Sequence, residues 1–99
     1  MRLSRIQQEI IRKTATRHFG ENVTVFLFGS RVFDDEKGGD IDLLLDNVPD
    51  KSQTPEKKIL FLVDLKKQLG DQTIDVVYKK WVVPDSDFQE AIEKTKLPV

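Results

Sequence analysis

Two short clusters and one isolated residue carry the chemistry this chain has to offer. Phe28-Gly29-Ser30-Arg31 ends an apolar run, nine residues separate Ser30 from Asp40, and Asp40-Ile41-Asp42 opens the next run. A strand that ends in Gly can turn sharply, because Gly tolerates backbone angles that other residues avoid. If a short helix starts at Ser30, its free N–H groups and dipole favour an anion, and the Ser30 hydroxyl adds a donor to a phosphate oxygen. Asp40 and Asp42 lie two apart, so in a strand they share a face. Their hard oxygen ligands suit Mg²⁺, which keeps waters and completes its shell with substrate phosphates. Two carboxylates this close are costly unless a cation neutralises them. Asp75 interrupts the apolar sequence Ile74-Asp75-Val76-Val77, and Asp is depleted in strands. It could face the same metals from a neighbouring strand.

Each feature alone has a plainer reading. Gly29-Ser30 could be an ordinary strand-to-helix turn. Asp40 and Asp42 could be solvated residues at a strand edge, and Asp75 an outward position on a half-buried sheet. Together they form an arrangement that can bind a nucleoside triphosphate with its Mg²⁺ ions.

The elements that must position these residues are legible from periodicity and punctuation. Residues 4 to 19 predict a helix, with Ser4 as N-cap, Ile6, Ile10, Ile11 and Ala15 at helical spacing, and Gly20 as the stop. Residues 23 to 28 are nearly all apolar and predict a strand buried on both faces. Residues 34 to 39 predict a polar loop. From 40 to 46 the chain alternates, with Ile41, Leu43 and Leu45 on one face and Asp40, Asp42, Leu44 and Asp46 on the other. A loop over 47 to 54 leads to Pro55, a helix start followed by Glu56; that helix runs to Leu69 and stops at Gly70. Residues 73 to 78 predict a third strand. Asp85 or Ser86 would cap a last helix carrying Phe88, Ala91 and Ile92. The expected class is α/β (α+β), a small mixed sheet with helices packed on it, in the order α-β-(short α)-β-α-β-α, with the site at one edge.

Composition bounds the function. A chain of 99 residues predicts one domain spanning 1 to 99. Sixteen basic and 17 acidic side chains give a formal net charge of -1, so no global imbalance points to nucleic acid or an anionic membrane. There is no cysteine, which excludes disulfides, thiolate metal sites and Cys nucleophiles. No apolar run approaches the roughly 20 residues that span a bilayer, and no apolar signal core follows Met1. The expectation is a cytoplasmic protein.

Phe28-Gly29-Ser30-Arg31 through Asp40-Ile41-Asp42-Leu43 resembles the signature of the DNA polymerase beta-like nucleotidyltransferase superfamily: apolar-Gly-Ser, a loop, then Asp-apolar-Asp-apolar. With no added domain, the chain is most similar to the minimal nucleotidyltransferases (MNT), which are typically paired as antitoxins with HEPN-domain toxins. The resemblance implies a nucleotidyltransferase fold. It implies that Asp40, Asp42 and Asp75 hold two Mg²⁺ ions, and that Asp75 helps deprotonate the attacking hydroxyl. Gly29 and Ser30 would hold the triphosphate of ATP, and Arg31 would contact phosphate or shape the pocket. The implied activity is transfer of AMP to a tyrosine of a HEPN toxin partner. Gly39 and Phe33 depart from residues frequent in that family, Ser and Gly respectively, and neither departure removes a ligand. Two alternatives stay open: an antitoxin that neutralises its partner by binding alone, and a nucleotidyltransferase acting on a small molecule or RNA.

Other residues read as structural. His18, the single histidine, suits a helix end. Lys79 and Lys80 suit a solvated strand end. Asp46 shares the Asp40–Asp42 face but lies about 13 Å beyond Asp42 at strand rise. The helix of residues 55 to 69 is apolar through Ile59, Leu60, Phe61, Leu62, Val63 and Leu65, more than one sheet can bury. The excess would either pack beneath the terminal helices or meet a partner; whether the chain also forms homo-oligomers is left open by the sequence. Trp81 reads as a core anchor or an interface residue.

Overall fold

Reciprocal capping starts the first helix, α1 (Arg5–Phe19): Gln7 N–H donates to Ser4 Oγ at 3.0 Å, and Ser4 N–H donates to Gln7 Oε1 at 2.9 Å. The structure, a computed structural model, describes residues 1–32 and 40–99. The loop expected over 34 to 39, with Phe33, lies outside the described residues. After α1 come β1 (Thr24–Phe28), a 3₁₀ turn (Gly29–Val32), β2 (Ile41–Asp46), a second 3₁₀ turn (Asp50–Ser52), α2 (Pro55–Leu69), β3 (Ile74–Tyr78), a third 3₁₀ turn (Lys79–Trp81), α3 (Asp87–Thr95) and β4 (Leu97–Pro98). Thr54 caps α2 by accepting from Lys57 N–H, and Ser86 caps α3 by accepting from Gln89 N–H.

The four strands form one mixed sheet in the order β3-β2-β1-β4. β1 runs antiparallel to β2 and to β4, while β2 and β3 are parallel, joined through α2. The class is therefore a small mixed α/β fold. β4 was not expected. Two residues carry no period to read, and Pro98 fits only because the strand is at an edge, where a missing N–H costs no ladder bond.

Alternation sorts the sheet's two faces. Val25, Leu27, Ile41, Leu43, Leu45, Ile74 and Val76 face α1 and α2, where Ile11, Ala15, Phe19, Phe61 and Leu65 complete the main core. On the other face, Phe28 and Leu44 pack with Ile92 of α3, flanked by Phe26 and Val77. β1 is thus covered on both sides, although Thr24 and Phe26 stay part-exposed. α1 and α2 lie side by side in opposite senses. Thr14 Oγ1 accepts from Gln68 Nε2 at 3.0 Å, His18 Nε2 meets Asp64 Oδ2 at 2.8 Å, and Lys57 Nζ donates to the His18 carbonyl at 3.3 Å. His18 thereby ties the two helices.

Tyr78 closes the core at the end of β3. Its ring is fully buried edge-on to Phe19, and its hydroxyl donates to the Thr54 carbonyl at 2.8 Å. That bond anchors the cap of α2. Tyr78→Phe removes it while keeping the ring, and urea unfolding is expected to show a loss of about 1 kcal/mol.

The terminal helices do not cover the apolar middle of α2. Phe61 and Leu65 are buried, but Ile59, Leu60 and Val63 are 58%, 58% and 47% exposed. Among the described residues, no helix is long and apolar enough to cross a membrane.

Candidate active site

Strand register decides which acidic residues meet. Asp42 pairs with Asp75 across the parallel β2–β3 ladder, and with Phe28 across the antiparallel β1–β2 ladder. Partners in register point to the same face, with neighbouring strands about 4.8 Å apart. The two carboxylates therefore stand side by side, next to the end of β1. Ile41 N–H donates to the Thr73 carbonyl at 3.0 Å, which fixes the register where both strands begin. Asp42 is half-buried and Asp75 is exposed on the edge strand. Asp40 is exposed immediately before β2.

Gly29 is built into this arrangement. Its φ is +80°, in the left-handed region, and a β-carbon there would stand 2.5 Å from Asp42 Oδ2. The Asp42 carboxylate thus lies in the space that a side chain at 29 would fill. Gly29 N–H donates to Thr95 Oγ1 at 3.2 Å, so α3 helps to hold the turn. Ser30 has its backbone in the 3₁₀ turn, and its side chain lies outside the described part. Arg31 Nη1 donates to the Arg2 carbonyl at 3.0 Å, and Nη2 to Gln72 Oε1 at 3.4 Å. Its guanidinium joins the N-terminal segment to the turn before β3.

The electrostatics at Asp42 are unusual. Burial pushes its pKa up from 3.8 to about 6, and the like charges of Asp75 and then Asp40 push the same way. Among the described residues, none of the three forms a salt bridge with a cationic side chain. A half-buried carboxylate facing two more is the environment a hard cation relieves, and all the donors are oxygens. The residues fit Mg²⁺ in charge and chemistry. They are not drawn tightly together, however. Among the described residues no three acidic or histidine side chains form a group that could hold one metal ion.

The carboxylates open into a cleft of about 450 Å³ whose walls are Phe28, Leu62, Val77 and Phe88, with Lys58 at its rim. Phe28 and Phe88 meet edge to face at 5.8 Å. Lys58 Nζ lies 5.6 Å from the Tyr78 ring and 5.3 Å from the Trp81 ring. Trp81 is half-exposed and rests edge-on against Tyr78 at 4.9 Å. Lys58 and Thr95 are not marked in the sequence, and Phe88 reads there only as a residue of the last helix. Nothing local ties them to the site, because each reaches it only through tertiary packing. A larger cleft, about 810 Å³, opens at the opposite end of β2 around Asp46, Asn47 and Lys79. Its lysines are already paired, Lys79 with Asp46 at 3.4 Å and Lys80 with Asp50 at 2.5 Å, and it brings no carboxylates into register.

Neither the models of known protein families nor the curated proteins compared with this chain give a match.

Proposed function

We propose that this chain is a minimal nucleotidyltransferase that moves AMP from ATP to a hydroxyl of a HEPN-type toxin partner, and so acts as its antitoxin. The observation that carries this reading is the pairing of Asp42 with Asp75 beside Gly29, at the end of an apolar strand. Asp40, Asp42 and Asp75 would hold two Mg²⁺ ions, which would supply charge neutralisation at the reacting phosphate.

The chain's own residues do the rest. Gly29 gives the Asp42 carboxylate room at the floor of the site. Ser30, at the start of the 3₁₀ turn, would meet the triphosphate. Arg31 holds the turn to the N-terminal segment, a pocket-shaping part. Asp75 stands on the exposed edge strand, where an acceptor can approach, and would take up the acceptor's proton. The acceptor oxygen then bonds to the α-phosphorus, the bond to the bridging oxygen breaks, and pyrophosphate leaves. Positioning and charge neutralisation supply most of the rate. The apolar cleft beside the acids suits a planar group.

One observation favours a second reading. The three carboxylates are not gathered into a single metal-holding group, as expected if the chain neutralised its partner by binding alone. The two readings separate in one experiment. The purified chain is incubated with labelled ATP, Mg²⁺ and its HEPN-type partner, and the intact mass of both proteins is measured. Transfer predicts one or more AMP units on the partner, absent with Asp40→Asn/Asp42→Asn although the complex still forms. An unmodified partner in a stable, neutralised complex would overturn catalysis in favour of occlusion.

A further inference from the structure

α2 is amphipathic in an incomplete way. Phe61 and Leu65 face the core, and Asp64 and Gln68 face α1. The remaining face carries Glu56, Ile59, Leu60, Val63, Lys66 and Lys67, all exposed. Residues 56, 59, 60, 63 and 67 follow the spacing of one helical stripe. Its order is an acid at the N-terminal end, three aliphatic side chains in the middle and two bases at the C-terminal end. From Glu56 to Lys67 the stripe is about 16 Å long at helical rise.

That order is self-complementary. A twofold axis through the middle of the stripe, between residues 61 and 62, sets a second α2 antiparallel to the first. Leu60 of each copy then faces Val63 of the other. Glu56 of each copy falls opposite Lys67 of the other, with Lys66 beside it. The acid of one helix meets the bases of its mate at both ends, around an apolar centre. The antiparallel helix dipoles add a favourable sign. A parallel pairing would set acid on acid and base on base. We propose that the exposed face of α2 is an isologous interface between two copies of this chain. One helix face is a small interface, so the dimer is weak and its population depends on concentration. Leu62 and Lys58, on the neighbouring side of α2, line the acidic cleft, so the interface borders that cleft without using its carboxylates.

The test is sedimentation equilibrium of the full chain over a range of concentrations, at low salt. Wild type is expected to shift from monomer to dimer. Leu60→Asp, an exposed change that leaves the core alone, is expected to raise the dimer dissociation constant about tenfold or more. Glu56→Lys is expected to weaken the dimer, and Glu56→Lys/Lys67→Glu to restore it, because the twofold axis brings the swapped charges together again. Circular dichroism of each variant checks the fold. A monomer at every concentration would overturn the proposal. So would a dimer that Leu60→Asp leaves intact, or a charge reversal that the second substitution does not rescue. A face that serves a different protein gives the first of these results.

Discussion

Asp42→Asn is expected to make the protein more stable at pH 7 while reducing the proposed nucleotidyl transfer at least about a thousandfold. The stability gain follows from the sign of the pKa shift. Asp42 titrates near 6 in the folded chain against 3.8 ordinarily, first because it is buried and then because Asp75 and Asp40 are close. The folded state therefore binds the proton more tightly than the unfolded state does. Well below pH 4 both states are protonated and the residue costs nothing. Between about pH 4 and pH 6 stability falls as pH rises, and above 6 the cost is present in full. The shift taken at face value corresponds to about 3 kcal/mol; solvent screening of a carboxylate that is only half-buried reduces this to about 1–2 kcal/mol. Asn keeps the shape and removes the charge. Urea unfolding of both proteins from pH 4 to pH 8 should show near-equal stability at the acid end and a gap of about 1–2 kcal/mol in favour of the variant at pH 7. A variant less stable than wild type at pH 7 would contradict this account. A residue that lowers stability and yet sits in register with a second carboxylate is what a functional site looks like.

Gly29→Ala is expected to destabilise the fold by about 2–3 kcal/mol, and Gly29→Val by more. Two separate costs add. At φ +80° a side chain enters the left-handed region, which costs roughly 1–2 kcal/mol. The new β-carbon also stands 2.5 Å from Asp42 Oδ2, so the carboxylate must leave its position. These parts can be separated. In Gly29→Ala/Asp42→Ala the collision is gone and only the backbone cost remains, so the double variant should be less destabilised than the sum of the two single ones. Strict additivity in urea midpoints would show that Gly29 and Asp42 are not in contact. The same geometry predicts that Gly29→Ala loses function beyond its loss of stability, since the displaced side chain is Asp42.

Local signals were enough to read the parts of the fold that position the site. Ser4, Gly20, Pro55 and Gly70 bracket two helices whose ends fall where those residues put them. Alternation across Ile41-Asp42-Leu43-Leu44-Leu45 fixed which side chains share a face, and the core follows it. Spacing could not supply register. Nothing in the chain states that Asp42 lies beside Asp75 rather than a residue away; the Ile41-to-Thr73 bond and the β2–β3 ladder decide it. Nor does the sequence of Leu97-Pro98 announce a strand, because its pairing depends on the neighbouring edge of β1. Thr95, which receives the Gly29 N–H, is equally silent, lying 66 residues away along the chain. The apolar run of α2 was visible as an excess, but which of its residues stay exposed depends on where α1 comes to rest.

In the function proposed here, Gly29, Asp42 and Asp75 form a site for Mg²⁺ and a nucleoside triphosphate. The most direct test is a titration of the ¹⁵N-labelled chain with an ATP analogue that cannot be cleaved between its α- and β-phosphates, with and without Mg²⁺, followed by amide chemical shifts. The expected shifts centre on Gly29, Ser30, Asp42 and Asp75, require Mg²⁺ and vanish in Asp42→Asn. Shifts that cluster elsewhere, or that are the same without Mg²⁺ and in Asp42→Asn, would contradict the proposed function.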